Sequence, residues 1–99
     1  MRIAKVIGTV TLNRRLPELK AGKLLLAEAL DSAALDGINR GARRSSPMPE
    51  SLVVFDELGA GVGQMIAVNE GREACVPFEP QRVPVDAYCS AILDTIELT

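Results

Sequence analysis

Two apolar runs of high strand propensity, over 52–55 and 65–68, flank a short segment with glycine at alternate positions, Gly59, Gly61 and Gly63. Glycine there lets the backbone reverse and lets another backbone approach with no Cβ in the way. The stretch reads as strand, tight connection, strand. Asp56, at the end of the first run, is placed to accept hydrogen bonds from the amides of the turn that follows. Asp56, Gly59, Ala60, Gly61, Gly63 and Gln64 are therefore the candidate turn and assembly residues. Replacing Gly61 with valine is expected to impair folding or assembly if that position needs a positive φ or a close contact.

Glycines beside a strand also invite a nucleotide-binding reading. A dinucleotide fingerprint needs its glycines between a strand and a long helix, and a P-loop needs Lys followed by Ser or Thr after the last glycine. Here Gln64 follows Gly63, and the next residues, Met65, Ile66, Ala67 and Val68, are of strand type. The loop does not have the residues of a phosphate cradle.

Ninety-nine residues suffice for one domain with a modest core, spanning 1–99, and are too few for two. Eleven basic against thirteen acidic residues leave a formal charge of -2, which offers no bulk attraction for nucleic acid or an anionic membrane. The hydrophobic fraction of 47% beside 24% charged residues is apolar for so small a domain, so part of that surface is expected to be buried between subunits. Neither a signal peptide nor a membrane span can be read. Cys75 and Cys89 are too few for a disulfide framework and read as free thiols in a reducing compartment.

In chain order, residues 3–11 form a first strand, with Gly8 marking a bend or close approach. Residues 12–22 are a connection, with one helical turn around Pro17. The run 23–30 has the composition of a helix, but its short length between Gly22 and Asp31 and its neighbours favour a strand. Residues 31–50 read as a long excursion rich in Gly, Ser, Pro and Arg. Its basic cluster, Arg40, Arg43 and Arg44, is a candidate partner loop for nucleic acid or an anionic protein, yet no aromatic platform lies nearby, and a solvated or interface loop fits better. Pro77, Pro80 and Pro84 keep 73–84 from being a central strand. Residues 85–88 are expected to start a helical turn after Pro84, and 90–98 to close the chain as a strand. Five strands, one short helix and a long connection after the second strand suit a small all-β barrel better than an open sheet.

Histidine is absent, which removes the commonest general base, the usual catalytic triads and most zinc-enzyme ligand sets. Asp56 and Glu57 are adjacent in an extended segment, point to opposite faces and cannot act as paired carboxylates within one subunit. Cys75 has Arg72 nearby in sequence but no base to accompany it. No catalysis, metal or cofactor is expected.

The opening residues 1–10, the apolar 23–26, the central 56–63, Pro84-Val85-Asp86-Ala87 and the closing 92–96 together resemble the bacterial microcompartment vertex proteins of carboxysome and ethanolamine-utilisation shells. The resemblance implies a five-stranded barrel of oligonucleotide-binding-like topology. It further implies a ring of five identical chains that closes the vertices of an icosahedral shell in the cytoplasm, beside hexameric shell proteins. One departure falls on the glycine segment, where the family commonly continues with glutamate and this chain has Gln64. Gln64 keeps the hydrogen-bonding shape of glutamate and loses its charge.

Overall fold

The computed structural model describes residues 1–12, 14–17, 19, 22–39 and 50–97. Its strands are β1 (Arg2–Val10), β2 (Lys23–Ala29), β3 (Ser51–Asp56), β4 (Met65–Glu70) and β5 (Ala87–Leu93). They close into a barrel in the order β1-β2-β3-β5-β4, with every neighbouring pair antiparallel except β3 and β5, which run parallel. That order is the expected oligonucleotide-binding-like topology, and closure gives every strand a neighbour on both sides.

Alternation along the strands sorts the side chains. Ala4 and Val6 of β1, Leu25 and Ala27 of β2, Val54 of β3, Ile66 and Val68 of β4, and Ala87 and Cys89 of β5 fill the interior. Many of these are small because a five-stranded barrel has little room inside. Two bulges supply the bending that closure requires. In β1 the register against β2 slips between Val6 and Gly8, which places the bend where the glycine suggested it. The other slip lies between Ala67 and Val68 against β5.

A second apolar cluster lies outside the barrel. Phe55, Ala74, Phe78 and Val85 form its centre, with Leu19, Leu24, Val83 and Tyr88 packed around them. The chain has only three aromatic residues, and all of them meet here. Phe55 and Phe78 meet edge to face at 5.5 Å, Phe78 and Tyr88 do so at 5.4 Å, and Phe55 and Tyr88 stack at 6.3 Å. Such pairs contribute roughly 0.5–1.5 kcal/mol each beyond the area they bury. Phe78 is delivered by the short helix α2 (Arg72–Cys75) and the 3-10 turn Val76–Phe78, so the proline-bearing segment covers the outer face of β3 and β5. Cys75 helps to hold it, its Sγ donating to the Val85 carbonyl at 3.1 Å.

Two elements differ from the sequence expectation. Residues 85–88 make no helical turn, since Ala87 and Tyr88 already belong to β5, paired with Glu70 and Asn69. The last strand accordingly ends at Leu93, and 94–97 lie beyond it. A helix, α1 (Ser32–Asn39), lies instead inside the stretch read as an irregular excursion. Asp31 starts it: its Oδ1 accepts the Ala34 amide at 2.8 Å and its carbonyl accepts the Leu35 amide at 3.0 Å, the pattern of an N-cap.

The far end of the barrel is tied by charge. The Arg2 guanidinium donates to both Glu50 carboxylate oxygens, at 2.8 and 2.9 Å, and reaches Glu70 at 3.5 Å. The bidentate bond to Arg2 holds the Glu50 carboxyl below its ordinary range. The contact joins the start of β1 to the approach to β3 and the end of β4.

Candidate assembly loop

Residues 57–64 run from β3 to β4 across one end of the barrel, and four sets of hydrogen bonds fix their path. Asp56, almost fully buried, places both carboxylate oxygens under the turn. Its Oδ1 accepts the Leu58 amide at 3.0 Å, and its Oδ2 accepts the amides of Gly59 at 3.0 Å and Ala60 at 2.8 Å. Each such bond to a charged acceptor contributes roughly 1.5–3 kcal/mol, and together they offset the cost of burying the carboxylate. Ala60 is thereby drawn into the interior cluster, where its methyl group closes the barrel end.

The second set comes from β2, where Lys23 Nζ donates to the Ala60 carbonyl at 2.9 Å. The third comes from β1. The Gly63 amide donates to the Val6 carbonyl at 2.8 Å, and the Val6 amide donates to the Gln64 carbonyl at 2.9 Å. The fourth is internal: the Gln64 amide donates to the Gly61 carbonyl at 3.1 Å, closing a turn with Val62 and Gly63 at its centre. The Gln64 side chain reinforces that turn, its Oε1 accepting the Gly61 amide at 2.7 Å. This bond needs only an acceptor oxygen, which glutamine and glutamate both provide.

The glycines do different work. Gly59 has φ +88° and Gly63 φ +92°, a region L-residues enter only at a cost. Gly61 has no such φ, and a Cβ built on it would meet nothing nearer than Gln64 Oε1 at 3.8 Å, an ordinary contact. Within the chain Gly61 therefore has neither a positive φ nor a close contact, and the conformational requirement falls on its two neighbours in the pattern.

The loop also exposes two larger apolar side chains. Leu58 is 52% exposed and Val62 66% exposed. On the barrel wall Val53 of β3 and Ile7 in the β1 bulge are also exposed. Glu57 turns away from buried Asp56, as adjacent residues of an extended segment must, and accepts a hydrogen bond from the Tyr88 hydroxyl at 2.9 Å. Burial, helped by Glu57, raises the Tyr88 phenol above its ordinary range. Inside the barrel, burial and then the Asp56 carboxylate push the Cys89 thiol up to about 12, so it stays an uncharged core residue. Among the described residues no group of three or more Cys, Asp or Glu side chains could hold a metal ion. Arg40, Arg43 and Arg44, the candidate partner loop, lie outside the described residues.

The geometry is that of a closed barrel whose end is sealed by a hydrogen-bonded glycine loop that leaves Leu58 and Val62 exposed. The family described as ethanolamine utilisation protein EutN/carboxysome matches residues 1–94. The chain belongs to this EutN/CcmL family of bacterial microcompartment shell vertex proteins, which is structural and not catalytic. It is 35% identical over 98 residues to the carboxysome shell vertex protein CcmL of Synechococcus elongatus, covering 99% of this chain and 88% of that protein. Its fold is similar to that of CcmL from Gloeobacter violaceus, with a TM-score of 0.80, 28% identity, and 99% and 90% of the two chains covered. It is likewise similar to GrpN, a pentameric microcompartment shell protein from Rhodospirillum rubrum, with a TM-score of 0.77, 29% identity and both chains covered in full.

Proposed function

We propose that five copies of this chain form a ring that caps the vertices of an icosahedral microcompartment shell in the cytoplasm, set among hexameric shell proteins. The observation that carries the reading is the full-length likeness to GrpN, itself a pentameric shell protein. The physical surface supports it. Leu58, Val62, Val53 and Ile7 leave a small barrel with more exposed apolar area than a solitary domain needs, and a head-to-tail ring buries such area by cyclic closure. Asp56, Gly59, Ala60, Gly61, Gly63 and Gln64 then act as the scaffold that presents Leu58 and Val62 at or beside the subunit seam. The chain's contribution to the shell is geometric: hexamers tile flat layers, and five-fold units supply the curvature that closes them.

The test is electron microscopy of cells producing a hexameric shell protein with and without this chain. Closed polyhedral particles are expected only with it. Open sheets or tubes in both cases would contradict the vertex role.

A further inference from the structure

A cleft of about 520 Å³ opens where the end of β1, the connection after it and the start of β2 meet, a size that suits a small-molecule ligand. Among the described residues its charge is one-sided. Arg14, Arg15 and Lys23 line it, and no described Asp or Glu does, although the chain as a whole carries a net charge of -2. Arg14 and Arg15 are exposed, and among the described residues neither guanidinium has an acidic partner. Lys23 spends one proton on the Ala60 carbonyl and keeps two more donors. Thr9 and Thr11 add hydroxyl groups along the β1 wall. Leu12 and Leu19 provide an apolar side, with Phe55 beneath. The floor is built for close approach: Gly22 crosses the Phe55 ring so tightly that a Cβ there would stand 2.4 Å from the ring.

We propose that this cleft binds a small organic anion, its carboxylate or phosphate head held by Arg14 and Arg15 and its short apolar tail laid against Leu12 and Leu19. Two guanidinium groups match the planar, multidentate geometry of either head group. The apolar wall selects against fully hydrated inorganic ions. The cleft is lined by residues of a single chain.

The test is a nuclear magnetic resonance titration of the full-length protein with hexanoate, hexyl phosphate, inorganic phosphate and hexanol, following the Thr9, Thr11 and Gly22 amides. Saturable shifts are expected with hexanoate, hexyl phosphate or both, and the comparison of the two identifies the preferred head. Inorganic phosphate and hexanol are expected to bind more weakly than the preferred anion. The Arg14→Gln, Arg15→Gln double variant, with an unchanged melting temperature, is expected to weaken that anion by about tenfold or more. The proposal is overturned if neither organic anion saturates, if hexanol binds as well as hexanoate, or if the double variant retains wild-type affinity. Equal binding of inorganic and hexyl phosphate would overturn the role of the apolar wall.

Discussion

Asp56 holds three amide donors on two oxygens in a nearly dry setting, so its charge and shape are both used. Asparagine would keep one acceptor oxygen and turn an amino group toward donors it cannot accept. The Asp56→Asn variant is expected to lose about 2–4 kcal/mol of stability in urea denaturation, while a loss under about 0.5 kcal/mol would contradict the assigned role. The glycines make a sharper comparison because they lie within one loop. Gly59→Ala and Gly63→Ala are each expected to cost about 1–2 kcal/mol, since alanine is strained at their φ values. Gly61→Ala should be close to neutral. Equal costs at all three sites would show that conformation does not distinguish them.

At the level of elements, Gly22 is the joint between the β1 connection and the outer aromatic cluster. A methyl group added there must displace the buried Phe55 ring, whose Cζ lies 2.4 Å from the ideal Cβ position. Gly22→Ala is expected to destabilise by about 1–3 kcal/mol and to lower the thermal midpoint. An unchanged melting curve would mean that the segment can lift away without cost. Neither this contact nor the cluster beneath it was legible in sequence, because residues 55, 78 and 88 share no periodicity and meet only through topology. The strands were more readable. β1, β3 and β4 carry alternating or β-branched apolar residues, and β2 yielded to its short length despite a helical composition. Helix α1 was hidden by the turn-forming residues after it, although Asp31 before Ser-Ala-Ala-Leu is a capping signal. Pro84 misled in the other direction: proline is compatible with a helix start, but cross-strand pairing of Ala87 and Tyr88 with β4 decides the conformation. Within the glycine loop, the Asp56 bonds followed from local turn chemistry. The anchors from Val6 and Lys23 are long-range and could not.

Over the whole molecule, interior packing and surface composition point the same way. A barrel filled largely by alanine, valine and one thiol has a small core, and several of its larger apolar side chains stand outside it. Association would bury that surface and add stability that the isolated chain lacks. Native mass spectrometry of the purified protein distinguishes a closed ring of five from a monomer and from rings of other size. The predicted result is a single dominant species near five times the 10.6 kDa chain, about 53 kDa. A dominant 10.6 kDa monomer, or a closed assembly of any other number, would contradict it.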